Sequence, residues 1–188
     1  MSRLIDDLLS LSRIELSAHQ PPRDSVDIGD LSSRVIAGFE PGMRQRGARF
    51  EVDIAPDLPA LLGDPDQLTQ VLQNLIDNAI KYGATAGTVH VSAHMAPSGG
   101  AWPVRRGVVV RVRDEGAGIA REHLPRLTER FYRVDKGRSR AVGGTGLGLA
   151  IVKHIVNRHR GQLRIDSVEG KGTEVSVWLP TVAVAPPD

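Results

Sequence analysis

The stretch GGTGLGL at residues 143–149 leads directly into residues 150–160, whose apolar side chains recur at helical spacing. Glycine allows a backbone to approach a ligand closely and to adopt positive φ angles. The N-terminus of the following helix presents unpaired N–H groups and a partial positive charge, which favour phosphate. The stretch lacks the lysine of a P-loop and the spacing of a dinucleotide-binding fingerprint. Alone, it fits a phosphate-binding loop and a flexible connector before a core helix equally well.

Composition limits the classes of protein to which the 188-residue chain can belong. Hydrophobic residues make up 40% and charged residues 24%, as in a folded domain with a small appendage. The net charge is +2 and the arginines are scattered, so we expect no binding to nucleic acid. The absence of cysteine excludes disulfides, a thiolate nucleophile and cysteine metal sites. The sequence contains neither a long apolar run nor a signal peptide pattern, so we expect a cytoplasmic domain.

Residues 2–17 carry an apolar stripe at helical spacing opposite a charged face. Because a lone helix of this length is marginally stable in water, the stripe requires another helix or a second copy of itself as a partner. Pro21 and Pro22 then indicate a linker.

The strongest helix prediction covers residues 65–82, with Asp64 as the N-cap and Pro65 in the first turn. A polar stripe on this helix is centred roughly 100° from its apolar stripe, so the polar side chains lie on the flank of the buried face. A second helix is predicted from a cap at Asp27 or Asp30 to about residue 46. Alternation and short apolar runs predict strands at residues 26–28, 48–54, 58–62, 88–95, 107–113, 162–166 and 173–179. We expect mobile surface segments at residues 97–106, 134–144 and 183–188.

The polar stripe of this helix consists of Asn74, Asn78 and Lys81. A carboxamide oxygen is a hard, neutral ligand that can join phosphate oxygens and water around Mg²⁺, and lysine can reach a phosphate as a point charge. The same pattern also fits the wet edge of an amphipathic helix.

Two further segments carry the residue types that a nucleotide site needs. In the first, Asp114 ends a strand and is followed by Gly116 and Gly118, so its carboxylate could accept the exocyclic amine of a purine lying close to the backbone. On its own, this segment is more typical of an Asp-Gly turn. In the second, Arg133 or Arg138 could meet a γ-phosphate with two hydrogen bonds, although the segment also fits a solvated run of charge.

In this order, the four segments resemble the N, G1, F and G2 boxes of the catalytic and ATP-binding domain of bacterial sensor histidine kinases. The resemblance covers roughly residues 24–181, and the stretch from PRLTERFYRVDKGRSR to GGTGLGLAIVKHIV looks most like the phosphate-responsive, PhoR-type kinases. The wider family, the GHKL or Bergerat ATPases, includes gyrase, the MutL repair proteins and a heat-shock chaperone. The resemblance implies an α+β, two-layer sandwich with a mixed sheet of about five strands on three helices and a flexible ATP lid.

The resemblance also implies a role for each matching residue. Asn78 would bind Mg²⁺, and Asn74 beside it would assist the metal or the transfer. Asp114 would hold the adenine amine, while Arg133 and Arg138 would act on the γ-phosphate. Contacts to the remainder of ATP are implied for Lys81, Tyr82, Gly116, Gly118, Gly144, Thr145, Gly146, Leu147, Gly148 and Thr173.

We divide the chain into four parts. Residues 1–18 resemble the end of the second helix of a dimerisation and phosphoacceptor hairpin, and 26–181 resemble the ATP-binding domain. The two prolines place a linker at 19–25, and 182–188 are expected to form a disordered tail. We therefore expect a protein-histidine kinase domain from a membrane-anchored, homodimeric parent at the inner membrane. Its partners would be that hairpin, which would supply the phosphoacceptor histidine, and a response regulator.

The six histidines do not match the phosphoacceptor motif. His154 and His159 are expected to face solvent at the ends of the last main helix. His90 and His94 share a strand face but lie too far apart to hold one metal ion. Two alternatives remain open: a freestanding ATPase or anti-sigma-like serine kinase of the same fold, and an interaction module that has lost nucleotide binding.

Overall fold

The computed structural model describes residues 2–16, 22–97, 100–134 and 144–182. Arg138 and most of the predicted lid and tail lie outside these residues. The elements follow one another in the order α1 (Ser2–Leu16), β1 (Asp24–Val26), α2 (Ile28–Gln45), β2 (Arg49–Ile54), β3 (Leu61–Gly63), α3 (Pro65–Tyr82), β4 (Thr88–Met95), β5 (Gly107–Asp114), a 3-10 helix (Arg121–Arg126), α4 (Gly148–Arg158), β6 (Gln162–Val168) and β7 (Gly172–Pro180).

The main sheet has five strands in the order β2-β4-β5-β7-β6. The β2–β4 pair is parallel, whereas the three other pairs are antiparallel, so the sheet is mixed as predicted. The antiparallel pairs include both predicted hairpins, β4–β5 and β6–β7. Strands β1 and β3 form a separate two-stranded antiparallel ribbon.

Helices α2, α3 and α4 cover one face of the main sheet and enclose the core. Side chains alternate along β4, where Val89, Val91 and Ala93 are buried. The apolar stripe of α3 supplies Leu75 and Ile76, which are also fully buried. Helix α3 therefore lies at the centre of the molecule, and the packing of its apolar stripe fixes the position of the polar stripe relative to the sheet.

Helix α3 covers the predicted residues 65–82 because both of its ends are marked in the sequence. The Asp64 side chain accepts hydrogen bonds from the backbone N–H groups of Asp66 and Gln67, both at 3.1 Å. Pro65 occupies the first helical position, where its missing N–H removes no helical hydrogen bond.

The first strand lies two residues earlier than predicted, at Asp24–Val26 instead of residues 26–28. Asp27 caps α2 by accepting a hydrogen bond from the Asp30 N–H at 3.0 Å, and Ile28 begins that helix. The apolar side chain of Ile28 is buried as part of α2, which explains why it resembled a strand residue in the sequence.

Helix α1 packs against the domain by one face and exposes the other. Leu11 and Ile14 are buried, whereas Ile5 and Leu9 are more than half exposed. The Ser10 hydroxyl donates a 2.9 Å hydrogen bond to Gln70 of α3. The partner that the apolar stripe requires is thus supplied in part by the chain itself. Among the described helices, none is both long enough and apolar enough to cross a bilayer.

Candidate functional site

A pocket of about 260 Å³ opens between the flank of α3, the end of β5 and the start of α4. The pocket brings together twelve of the residues that the sequence analysis assigned to ligand binding or catalysis. They are Asn74, Asn78, Lys81, Tyr82, Asp114, Gly118, Arg133, Gly144, Thr145, Gly146, Gly148 and Thr173. Segments up to about 100 positions apart in the sequence therefore converge on one cleft, which the resemblance requires.

Two predicted residues are placed otherwise, and a third is not among the described residues. Gly116 is buried behind Asp114, Leu147 is fully buried in the core, and Arg138 lies outside the described residues. A leucine in the middle of a glycine loop anchors that loop to the core, because its side chain points into the helix layer while the neighbouring backbone stays at the cleft.

The carboxylate of Asp114 is fixed at one end of the pocket. Asp114 is only 7% exposed, and it accepts a 2.8 Å hydrogen bond from the Gly116 N–H. Burial raises the pKa of the Asp114 carboxyl, although hydrogen bonds from the backbone of Gly116 and Thr173 and the charge of Arg113 oppose this shift. A buried carboxylate that accepts only backbone hydrogen bonds is suited to recognising a neutral donor such as an amine.

The glycines after Asp114 are required by close packing. A side chain at Gly116 would collide with the carbonyl oxygen of Tyr82. Gly118 has a φ of 67°, and a side chain there would collide with the carbonyl of Val168. Both positions therefore bring the turn close to neighbouring backbone, where only glycine fits.

Hydrogen bonds between side chains and the backbone secure this turn against the last hairpin. The Ile119 N–H donates to Ser167 Oγ at 2.9 Å. The Ser167 hydroxyl also lies 2.8 Å from the hydroxyl of Thr173, which lines the pocket. These hydrogen bonds tie this end of the pocket to the last hairpin.

On α3, Lys81 is paired with a residue that the sequence analysis did not select. Lys81 Nζ lies 2.7 Å from Asp77 Oδ2, and the two side chains are 13% and 21% exposed. Asp77 also lines the pocket. The spacing of four residues between opposite charges on a helix is a signal that could have identified this pair.

The glycine loop meets α3 and the segment around residue 131 at the other end of the pocket. Gly146 has a φ of 74°, and its carbonyl accepts a 2.9 Å hydrogen bond from the Phe131 N–H. Helix α4 begins at Gly148 and has no side-chain cap. Its first N–H groups are therefore available to an anionic ligand at this end of the pocket.

Two nitrogen atoms of Arg133, Nε and Nη2, are buried without a hydrogen-bond partner among the described residues. An unsatisfied buried donor costs about 1–3 kcal/mol, and more when it is charged. Because Arg133 lines the pocket, an anion bound there could satisfy these donors.

A carboxylate from α1 also reaches this end of the pocket. The Thr145 hydroxyl donates a 2.7 Å hydrogen bond to Asp7 Oδ2, across 138 positions of sequence. The sequence analysis missed Asp7, because helical periodicity assigns it to a polar face and carries no information about distant contacts.

The prediction that His159 faces solvent is wrong. His159 is 3% exposed and joins the end of α4 to the start of α3. Its Nε2 accepts a 3.0 Å hydrogen bond from the Asp64 N–H, so its Nδ1 carries the proton and donates to the Ile155 carbonyl at 2.8 Å. Burial lowers the pKa of His159.

His90 and His94 pair with carboxylates and not with each other. His90 Nδ1 lies 3.0 Å from Glu51, and His94 Nε2 lies 2.9 Å from Asp53. Among the described residues, no group of three or more side chains has the geometry of a metal site built from histidine, aspartate and glutamate.

The fold and the pocket together define a class of protein: a two-layer sandwich with a pocket between its central helix and its glycine loop. A sequence model of the histidine kinase-, DNA gyrase B-, and HSP90-like ATPases matches residues 63–183. Since this match covers more than half of the chain, the chain belongs to that ATPase family.

Relatives within the family are sensor kinases. The chain is 38% identical over 180 residues to the sensor protein kinase WalK of Staphylococcus aureus, and this match spans 96% of the chain but 41% of the relative. The full-length ShkA crystal structure in complex with AMPPNP superimposes with a TM-score of 0.80 at 29% identity, over 98% of the chain and 37% of ShkA. The mycobacterial sensor histidine kinase MprB superimposes with a TM-score of 0.67 at 30% identity, over 84% of the chain and 97% of that structure.

Proposed function

We propose that the chain is the ATP-binding kinase domain of a two-component sensor histidine kinase. One observation carries the proposal: the Asp114 carboxylate, the asparagines of α3 and Arg133 line one pocket, and two buried nitrogens of Arg133 lack a hydrogen-bond partner among the described residues. A carboxylate can accept the amine of a purine. The amides can bind the cation of a triphosphate, and the arginine can bind its phosphate oxygens. The relatives support the same proposal, although the chain spans 41% of WalK and 37% of ShkA.

At the adenine end, Asp114 would accept the exocyclic amine, with Gly118 and Thr173 beside the ring. Gly116 would act through Asp114, because its N–H holds the carboxylate in place. Tyr82, which is 38% exposed at the end of α3, would cover the nucleoside.

At the phosphate end, Asn78 would bind Mg²⁺ with Asn74 beside it, while Lys81, Arg133 and Arg138 would bind phosphate oxygens. Arg133 fits a phosphate, since it has buried donors without a partner among the described residues, and the amide oxygens of Asn74 and Asn78 in the pocket lining fit Mg²⁺. Mg²⁺ would neutralise charge on the phosphates when bound. The backbone of the glycine loop, residues 144–148, would wrap the phosphates above the uncapped N-terminus of α4.

The reaction would transfer the γ-phosphoryl group to a histidine of a dimerisation and phosphoacceptor hairpin. The bond between the γ-phosphorus and its bridging oxygen would break as a bond to the imidazole nitrogen forms, leaving ADP. We propose that residues 1–18 belong to that hairpin, 19–25 to a linker, 26–181 to the ATP-binding domain and 182–188 to a tail. The parent would be a membrane-anchored homodimer at the inner membrane that passes the phosphoryl group to a response regulator. We assign the phosphate-responsive, PhoR-type subclass on the resemblance of residues 125–156 alone.

Calorimetric titration with AMPPNP and Mg²⁺ tests the binding step. The unmodified chain should bind, and Asn78→Ala should lose Mg²⁺-dependent affinity while circular dichroism shows an intact fold. Equal binding by Asn78→Ala and the unmodified chain would contradict the metal assignment.

A phosphotransfer assay tests the acceptor class. The chain is mixed with labelled ATP and either a separately produced histidine kinase hairpin or a serine-containing anti-sigma antagonist substrate. Acid-labile label on the hairpin supports a histidine kinase. Acid-stable label on the serine substrate would instead favour the anti-sigma-like serine kinase.

A further inference from the structure

Helix α1 contributes a charged side chain to a pocket that otherwise belongs to the ATPase domain. Asp7 lines the pocket together with Asn74 and Arg133, and it lies well before the segment that matches the ATPase family, residues 63–183. The contact is a 2.7 Å hydrogen bond from the Thr145 hydroxyl to Asp7 Oδ2.

The contact is part of a defined interface and not an isolated approach of two side chains. Asp7, Ser10, Leu11 and Ile14 recur at intervals of three and four residues, so they share one face of α1. Leu11 and Ile14 are 3% and 4% exposed, and the Ser10 hydroxyl donates to Gln70. The docking of this face therefore holds the Asp7 carboxylate against the glycine loop.

Thr145 links the carboxylate to the site expected for phosphate. The Thr145 hydroxyl donates to Asp7, and its oxygen accepts a 3.3 Å hydrogen bond from the Leu147 N–H immediately before α4. Asp7 thus places a negative charge near an uncapped helix N-terminus, which a polyphosphate would also occupy. Two anions in one partly desolvated site repel each other more strongly than they do in water.

We propose that Asp7 is a tethered competitor of the nucleotide polyphosphate. When α1 is docked, the Asp7 carboxylate restrains Thr145 and repels the incoming phosphates. When α1 leaves this position, the loop is free to wrap the phosphates. Docking of α1 and binding of nucleotide then oppose each other by the same factor in both directions, because coupling between two binding equilibria is reciprocal. The inference rests on the proposed function, since it assumes that the pocket binds a nucleotide.

The charge of the ligand decides the size of the effect. A triphosphate carries more negative charge than a diphosphate and extends further towards the glycine loop. The competition should therefore weaken the binding of AMPPNP more than the binding of ADP. A purely structural role of Asp7 would change the stability of the chain and would leave the ratio of the two affinities unchanged.

Calorimetric titration of the full chain with AMPPNP and with ADP tests the inference on Asp7→Asn. Asparagine can still accept the hydrogen bond from Thr145, so this variant removes the charge alone. The matched control is Asp6→Asn, which removes the same charge from the neighbouring position of α1, outside the nucleotide pocket. We expect Asp7→Asn to bind AMPPNP about fivefold or more tightly than the unmodified chain, with a smaller gain for ADP. Asp6→Asn should stay within about twofold for both ligands.

Reciprocity gives a second measurement. Saturation with AMPPNP should speed amide hydrogen exchange in α1 of the unmodified chain, and the acceleration should be smaller in Asp7→Asn. Exchange in α1 that is unchanged or slowed by AMPPNP would contradict the competition.

The two failures can be told apart. If the unmodified chain binds AMPPNP and Asp7→Asn binds it no more tightly than Asp6→Asn does, the inference is wrong and the proposed function stands. Weaker binding by Asp7→Asn would also overturn it, since Asp7 would then assist the ligand. If neither the unmodified chain nor Asp7→Asn binds nucleotide, the proposed function fails and the inference fails with it.

Discussion

The two ends of the pocket differ in how completely the protein alone satisfies them. At the end formed by Asp114, hydrogen bonds join the carboxylate, the following turn and the last hairpin. At the end formed by the glycine loop, the Nε and Nη2 atoms of Arg133 are unpartnered among the described residues, and α4 begins without a side-chain cap. The first end can select a flat, uncharged ring by shape. We expect the second end to be completed by a ligand that brings its own negative charge.

The difference has a physical reason. A neutral ring can be recognised by a rigid, largely apolar site that changes little on binding. Charged phosphates must be exchanged during turnover, so their site is better built from uncapped backbone groups and long side chains that find their partners in the ligand. The competition proposed for Asp7 acts at the second end only, where the site is incomplete.

The largest expected effect concerns the preformed end. Asp114→Ala should weaken the binding of adenine nucleotides by about 100-fold, because it removes a charged acceptor and leaves the adenine amine unpaired. The fold should survive, since burial already disfavours this charge in the folded chain. Calorimetric titration measures the affinity and thermal unfolding measures the fold. An Asp114→Ala variant that binds AMPPNP normally would remove Asp114 from the site.

Because of the Asp114 carboxyl group, we expect the stability of the chain and its binding of adenine to respond to acid in opposite directions. The pKa of Asp114 is raised in the folded chain, so the folded state takes up its proton first as the pH falls. The contribution of Asp114 to the free energy of unfolding therefore rises as the pH falls below its pKa in the folded chain. This contribution stops changing once the pH is below its pKa in the unfolded chain. The affinity for adenine should fall as the pH falls through the folded pKa, because the acceptor loses its negative charge. Comparison with Asp114→Asn isolates the contribution of the carboxyl group in both thermal unfolding and calorimetric titration. If stability and binding both fell as the pH decreased, the raised pKa of Asp114 would be contradicted.

The second largest expected effect concerns Arg133, at the end of the pocket formed by the glycine loop. Arg133→Ala should weaken AMPPNP binding by about tenfold and ADP binding less, because its guanidinium would pair with the terminal phosphate. The unliganded chain should lose no stability, since the two buried nitrogens lack partners among the described residues. Arg130→Ala, at an exposed position three residues earlier, serves as the control for a lost positive charge. An equal loss for AMPPNP and ADP would place Arg133 away from the terminal phosphate.

The sequence predicted most of the elements and most of the pocket because both depend on local patterns. The bounds of α3 follow from Asp64 and Pro65, and the position of Asn78 on its flank follows from helical periodicity. The contacts of Asp7 and His159 could not be predicted in this way. Each depends on how α1 or α4 packs against a distant element, and periodicity specifies only which face of a helix is buried.

His159 illustrates this limit and leads to a third prediction, on the scaffold that holds α3. Its pKa is lowered by burial, so the unfolded chain takes up a proton at a higher pH than the folded chain does. The stability contributed by neutral His159 is complete above about pH 6.5 and falls as the pH decreases towards the folded pKa. Because His159 is buried as a neutral acceptor at the start of α3, we expect acid to weaken the packing of this helix. Both ends of the pocket depend on that packing.

The measurement compares urea unfolding of the unmodified chain and His159→Gln between pH 8 and pH 5. Glutamine can accept the hydrogen bond from the Asp64 N–H but does not titrate. The difference in unfolding free energy between the unmodified chain and His159→Gln should change by at most about 1.4 kcal/mol per pH unit. The unmodified chain should become the less stable of the two as the pH falls. An identical pH dependence for the unmodified chain and His159→Gln would show that His159 does not stay neutral.

The smallest expected effect separates two roles for a carboxylate at the phosphate end. Asp77 pairs with Lys81 at 2.7 Å within the pocket, so it both positions the lysine and opposes the charge of a phosphate. Because lysine is a flexible point charge, we expect the opposition to prevail and Asp77→Asn to bind AMPPNP about twofold more tightly. Asp66→Asn, in the exposed first turn of α3, is the matched control and should leave calorimetric affinity unchanged. Weaker binding by Asp77→Asn would show that Lys81 must be held in place. The phosphate end would then be more preformed than is indicated by the two Arg133 nitrogens without a partner among the described residues.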